Sequence, residues 1–236
     1  MGREQQVNAE NPVRAVVFDM DGLLIDSESL AMESLVSAGA ELGYEMPVEF
    51  CRSMIGVPAD RCRTLAAAAY GRGFPLEEYF DLHEVHLRQL VDSGRLATKP
   101  GALALLDALE AQGIPKAIAT SSSRDRADHH LQLAGIADRF DAVVTRQDVT
   151  KGKPDPEPYL KAMAALDGDV ETTLALEDST NGIRAAVAAG LRCILVPDLV
   201  QPTEESRRIA HRLYPDLNRV IEYIAAVNAA TTAKTA

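Results

Sequence analysis

With 236 residues, 47% of them apolar, and a formal net charge of −11, the chain can bury a sizeable core without staples, and its acidity argues against a general nucleic-acid or anionic-membrane surface. Five Phe, six Tyr and no Trp leave that core to Ala, Leu, Ile and Val, the composition of helices packed on a parallel sheet. Cys51, Cys62 and Cys193 form no C-x-x-C pair and leave one unmatched, so the expectation is buried free thiols rather than a disulfide framework or a zinc knuckle.

Residues 1–11 are polar, with no secretory h-region, and no run of about 18 apolar residues follows, so the protein is expected in the cytoplasm with no membrane partner. Val13 to Phe18 reads as a short apolar strand. It runs into Asp19-Met20-Asp21-Gly22, two carboxylates two residues apart at a strand end. Acids that close repel unless a cation neutralises them, and an oxygen-coordinated divalent metal is the natural partner. Asp-Gly is also a common turn pair, and that alternative stands open for the motif alone. A calcium loop is excluded because Leu23, Leu24 and Ile25 follow where more oxygen ligands are needed.

From about Glu28 to Arg95 only helical periodicity appears, in Leu30 to Leu42, Arg61 to Tyr70 and Leu76 to Val91. An all-helical insertion placed directly after the first strand sits over the strand ends as a lid. Gly56 is a close-approach point or a simple turn between helices. His83, His86, His129 and His130 fall in helical stretches and read as surface residues rather than catalysts.

The alternation then resumes: strand Ile114 to Ala119, helix Arg124 to Ala134, helix Pro156 to Leu166, strand Thr173 to Leu176, helix Asn181 to Ala189 and strand Arg192 to Val196. Strand–helix alternation specifies right-handed crossovers, a parallel sheet and ligands at the carboxyl ends of its strands. Thr120-Ser121-Ser122-Ser123 puts hydroxyls and backbone N–H groups at a helix start, which is an anion site or a plain N-cap run. Lys153, in the rigid Lys151-Gly152-Lys153-Pro154 segment, is one of only six lysines, none of them before Lys99. It is a candidate to balance phosphate and carboxylate charge, or a solvated loop lysine. Glu177-Asp178-Ser179 again ends a strand in acids and opens a helix, to complete a metal site or to cap. Residues 226–236, rich in Ala and Thr, are expected to fray with the other end as flexible tails.

The order of these clusters decides between the alternatives. A carboxylate pair, a hydroxyl, a lysine and a second carboxylate pair fall at successive strand ends of one sheet, and four independent coincidences are implausible. Phe18-Asp19-Met20-Asp21-Gly22-Leu23-Leu24-Ile25-Asp26-Ser27-Glu28, Ala119-Thr120-Ser121-Ser122, Lys153-Pro154 and Leu176-Glu177-Asp178-Ser179 with Gly182 resemble the haloacid dehalogenase superfamily. The branch is that of beta-phosphoglucomutase-like and sugar-phosphate phosphatases with a helical cap. The resemblance spans roughly Val13 to Leu195.

It implies an α/β protein with a Rossmann-like parallel-sheet core over residues 12–28 and 96–225 and an inserted all-helical cap over 29–95. Asp19 is then the nucleophile and Asp21 the general acid and base. Thr120, Ser121 and Lys153 bind phosphate. Mg²⁺ is held by Asp19, Asp178 and the Asp21 backbone carbonyl, with Glu177 a further candidate. The expected activity is hydrolysis of a small phosphorylated metabolite, a sugar or sugar-alcohol phosphate, by a monomer with no nucleic-acid partner. A mutase of the same branch is the alternative. It carries a histidine early in the first cap helix, where Ala31 stands here, although Arg52, Arg61 or Arg63 is a candidate to hold a distal phosphate. Phosphonate cleavage needs a cap lysine, which residues 29–95 lack. Metal-free dehalogenases lack the second aspartate, and a non-catalytic phosphometabolite-binding module is the remaining, weakest reading.

Overall fold

Short apolar runs form the middle of a parallel sheet in this computed structural model, which describes residues 10–57 and 59–235. The strands are β1 (Ala15–Phe18), β2 (Lys116–Ala119), β3 (Ala142–Val144), β4 (Thr173–Glu177), β5 (Arg192–Leu195) and β6 (Arg212–Leu213), in the order β3-β2-β1-β4-β5-β6. All neighbouring pairs are parallel. β1, β2 and β4 are buried along their whole length, as strands covered by helices on both faces must be.

Helices α1 (Ser27–Glu41), α2 (Val48–Arg52), α3 (Ala59–Tyr70) and α4 (Leu76–Leu90) intervene between β1 and β2. Then come α5 (Ala102–Ala111), α6 (Arg124–Leu133), α7 (Glu157–Ala165), α8 (Thr180–Ala188), α9 (Glu204–Ile209) and α10 (Leu217–Thr235). Apolar burial falls into three clusters. One, including Val16, Phe18, Leu105 and Ile224, lies on one face of the sheet; another, including Val17, Tyr159 and Ile183, lies on the other, since alternate residues of β1 point opposite ways. The third, including Leu35, Met54, Tyr79 and Phe80, belongs to α1–α4 and their connections. The three cysteines are free and buried, as expected.

The chain leaves the sheet for α1 and returns from it at one place. Ile25 bridges Thr98, Asp26 N–H donates to the Ala97 carbonyl at 2.8 Å, and Lys99 N–H donates to the Leu24 carbonyl at 2.9 Å.

Both segments expected as tails carry structure. Residues 226–235 continue α10 to Thr235; Leu217, Val220 and Ile224 pack into the sheet-face cluster and Asn228 Oδ1 accepts the Val13 N–H at 2.8 Å. At the other end, residues 1–9 lie outside the described residues, but Glu10 is anchored, its carboxylate bound by Arg212 and Tyr223. Strands β3 and β6 were not anticipated. Among the described residues no helix is long and apolar enough to cross a membrane.

Candidate active site

Strand register alone brings the acids together. Phe18 is paired with Ile118 on one side and Leu176 on the other, so Asp19, one residue on, is level with the ends of β2 and β4. Asp19 N–H donates to the Leu176 carbonyl at 2.9 Å, and Thr120 N–H donates to Val144 at 2.9 Å, extending the ladder to the last residue before each loop. Thr120, Lys153 and Asp178 therefore surround Asp19 at one end of the sheet, on the floor of a cavity of about 670 Å³, with Glu177 buried just beneath them.

Glu177 is fully buried, and five donors reach its carboxylate. Oε1 accepts from Lys153 Nζ at 2.6 Å and Tyr159 OH at 2.8 Å; Oε2 accepts from Asp178 N–H, Ser179 N–H and Ser179 Oγ at 3.0–3.1 Å. Gly182 makes room for it, since a Cβ there would lie 1.7 Å from Glu177 Oε1. Lys153 completes the bridge by donating to Asp19 Oδ1. Burial alone would lower the Lys153 ammonium, but Asp19 and Glu177 hold it well above the usual lysine range.

One lysine does not balance this pocket. Burial pushes Asp19 up to about 8, Lys153 opposing and Glu177 and Asp21 adding to the rise. Asp178 is driven well above the carboxylate range by burial and by Asp19, Glu28 and Glu177, and Glu28 rises to about 8 for the same reasons, with Asp198 the largest charge acting on it. Carboxylate oxygens of Asp19, Glu177 and Asp178 lie within 4.8 Å of one another. Such an all-oxygen, charge-deficient set fits a small hard cation, which would let these acids ionise at neutral pH. Gly22, at φ 80°, keeps the approach open: a Cβ there would lie 2.4 Å from Asp178 Oδ2.

Asp21 faces the hydroxyls. Its Oδ1 accepts from Ser27 Oγ at 2.6 Å, and its Oδ2 from Ser122 Oγ at 2.8 Å and Thr120 Oγ1 at 3.3 Å. Ser123 caps α6, accepting from Arg126 N–H at 3.3 Å, so the Ser121–Ser123 backbone sits at a helix start where anions are favoured.

Asp19, Asp21, Thr120, Ser121, Lys153 and Asp178 line this cavity, whereas Glu177 is buried behind it and touches Lys153. Among the described residues Ser121 lines the cavity without a hydrogen bond of its own, whereas Ser122, not assigned a role, donates to Asp21 along with Thr120 and Ser27. Ser27, Glu28, Tyr159 and His130 were also missed. The expectation that the helical histidines lie on the surface fails for His130, which is 4% exposed with Nδ1 3.9 Å from Asp21 Oδ1. The signal was present: Ala127, His130, Leu131 and Ala134 share the inward helical spacing. His83 lines the cavity too, bound to Ser34 Oγ at 2.8 Å, and burial lowers its pKa to about 4.

Residues 16–196 match the family described as Haloacid dehalogenase-like hydrolase. Validoxylamine A 7'-phosphate phosphatase of Streptomyces hygroscopicus subsp. limoneus is 32% identical over 181 residues, 77% of this chain and 84% of that protein. Phosphorylated carbohydrates phosphatase of Thermotoga maritima is 32% identical over 183 residues, with the same coverage of each. Among solved structures, CbbY from Rhodobacter sphaeroides in complex with phosphate superimposes with a TM-score of 0.74 at 28% identity, over 88% of this chain and 96% of that one.

Proposed function

The chain belongs to the haloacid dehalogenase-like hydrolases and is a phosphatase, and from that premise we propose that it hydrolyses a sugar or sugar-alcohol phosphate through an aspartyl-phosphate on Asp19, with Mg²⁺ as cofactor. The observation that carries this reading is the Asp19–Lys153–Glu177 bridge at the cavity floor, which fixes one oxygen of a buried carboxylate whose remaining surface faces the cavity.

In the proposed reaction the Asp19 carboxylate attacks phosphorus as the bond to the leaving oxygen breaks, and Asp21 gives that oxygen its proton. Asp21, now ionised, takes a proton from a water that attacks the same phosphorus, freeing phosphate and restoring Asp19. Lys153 neutralises charge at the attacking carboxylate, while the hydroxyls of Thr120 and Ser122 and the backbone N–H groups of Ser121–Ser123 receive the phosphoryl oxygens. Asp19, Asp178 and the Asp21 carbonyl would hold Mg²⁺, which supplies the positive charge that a dianionic phosphate needs beside these acids. Because five donors already occupy Glu177, its proposed part is to hold Lys153 rather than to reach the ion. Residues 29–95 act as the cap, closing over the substrate and excluding bulk water.

Hydrolysis is preferred to mutase chemistry because Ala31, where the mutases have histidine, lines the cavity and has no proton to exchange. A phosphate-release screen over phosphorylated metabolites, run with Mg²⁺ and with chelator, tests the activity. Acid-quenched mass spectrometry of the Asp19 peptide tests the intermediate; no phosphoryl adduct under burst conditions removes Asp19 as nucleophile.

A further inference from the structure

A buried ring nitrogen beside Asp21 has no partner. His130 lies on the inward face of α6 with Ala127 and Leu131, is 4% exposed, and borders the cavity over Asp19. Among the described residues its Nδ1 is buried without a hydrogen bond, and it stands 3.9 Å from Asp21 Oδ1. Packing alone does not account for a histidine here. A leucine would fill the same helical face without burying an unsatisfied ring nitrogen, which costs stability.

The other charged groups that act on the ring are Arg126, His129 and Glu84, and each is committed elsewhere. Arg126 is paired with Glu84, and His129 Nε2 is bound to Asp92 at 2.6 Å. Asp21 is therefore the acceptor that His130 faces. A carboxylate without a proton only accepts, so it selects a ring form with a proton on Nδ1. Both the imidazolium and one neutral tautomer have it, so the contact does not depend on the charge of the ring.

Asp21 needs such a donor during the reaction proposed above. Its Oδ1 accepts from Ser27 and its Oδ2 from Ser122 and Thr120. When the Ser122 and Thr120 hydroxyls turn to the phosphoryl oxygens, Oδ2 is released to meet the leaving oxygen, and Ser27 at the start of α1 is left holding the carboxylate. A carboxylate held by one hydrogen bond can still pivot; a second donor to Oδ1, from α6, fixes its direction. Bringing Nδ1 from 3.9 Å to hydrogen-bond distance takes a shift of about 1 Å, within the reach of side-chain rotation.

We propose that His130 is a positioning residue for Asp21: its Nδ1–H holds Oδ1 while Oδ2 gives a proton to the leaving oxygen and then takes one from the attacking water. The His130 proton stays on the ring throughout. The inference rests on the phosphatase reading above and adds to it the group that aims its acid and base.

The test compares wild type with His130→Leu, His130→Asn and His130→Gln on para-nitrophenyl phosphate with Mg²⁺. Asparagine carries its amide nitrogen on Cγ, as histidine carries Nδ1, whereas glutamine sets it one carbon further out. Rapid mixing reads nitrophenolate release, which needs little help from an acid; acid quenching reads the loss of phosphate from Asp19, which needs the base. In His130→Leu the first rate should stay within about threefold of wild type and the second should fall by at least about tenfold. His130→Asn should bring the second rate back to within about threefold of wild type, and His130→Gln should not. The asparagine and glutamine variants decide the question by themselves where leucine prevents folding. An undiminished second rate in His130→Leu or His130→Gln, or an equal loss of both rates in all three variants, would overturn the inference. Wild-type protein that releases no nitrophenolate or forms no phosphoryl adduct would instead overturn the reading on which it rests.

Discussion

The Lys153 ammonium lies 2.6 Å from Glu177 Oε1, so the lysine that touches Asp19 is itself held by a second, fully buried carboxylate. Removing the charge from Glu177 while keeping its shape should loosen Lys153 without opening a cavity. Glu177→Gln is expected to lower kcat by more than about tenfold and stability by about 1–3 kcal/mol, the usual range for a disrupted buried charged network. Its apparent Mg²⁺ affinity should change less than that of Asp178→Asn. Steady-state kinetics, urea unfolding and a Mg²⁺ titration check the three parts; a larger metal defect in Glu177→Gln would make Glu177 a ligand.

Asp19→Asn tests the nucleophile. The amide cannot form the mixed anhydride, so turnover should fall by at least about 10³-fold. The fold should persist, with a melting temperature without metal within about 3 °C of wild type, because a carboxylate whose pKa burial pushes to about 8 stabilises little at pH 7. Substantial phosphate release from this folded variant would reassign the attacking group.

Chelator should abolish activity, and Mg²⁺ should both restore it and raise the melting temperature, since an ion that binds only the folded state stabilises by mass action. Asp178→Asn should move both Mg²⁺ midpoints upward by about tenfold or more, as a hard cation held by few carboxylates loses charge and geometry with one of them. Thermal titration reads the binding even where turnover is lost, and an unmoved midpoint places the ion elsewhere.

His83 sets an acid limit on stability. Its pKa falls from an ordinary value near 6.5 to about 4 because burial disfavours the imidazolium. Between these values the unfolded chain binds a proton that the folded chain does not. Stability from this residue is therefore full above about pH 6.5, declines as pH falls towards 4, and changes no further below that. Urea midpoints for wild type and His83→Asn should diverge at pH 7.5 and converge by pH 4.5, a change on the order of 1–3 kcal/mol in their difference. Parallel pH profiles would show that His83 does not carry the slope.

The parts of the fold legible in the sequence were those with a continuous apolar signal. β1, β2, β4 and β5 are buried runs bounded by polar loops, and the acids, hydroxyls and lysine at their ends stand out against them. β3 spans only Ala142–Val144 and β6 only the exposed pair Arg212–Leu213, too short for any period to register. The Ala/Thr composition after residue 225 masked α10, whose continuation depends on contacts with Val13 and α5 that no local pattern contains. In the site, the residues missed act through others: Glu28 and His130 approach Asp178 and Asp21 from helices, and Tyr159 meets Glu177 across a strand–helix gap. Such convergence is a property of packing, not of sequence neighbourhood.

Where the chain leaves the sheet for α1 and where it comes back, Leu24 to Asp26 and Ala97 to Lys99 are laced by two backbone hydrogen bonds and a bridge. Two separate strings would let the α1–α4 unit slide, tilt and twist. Two strings tied side by side behave as a single axle, leaving rotation about that line as the soft motion. If α1–α4 act as the proposed cap, they would turn as one piece against the acids of the sheet, and the arc that admits an ester would be the arc that lets phosphate go.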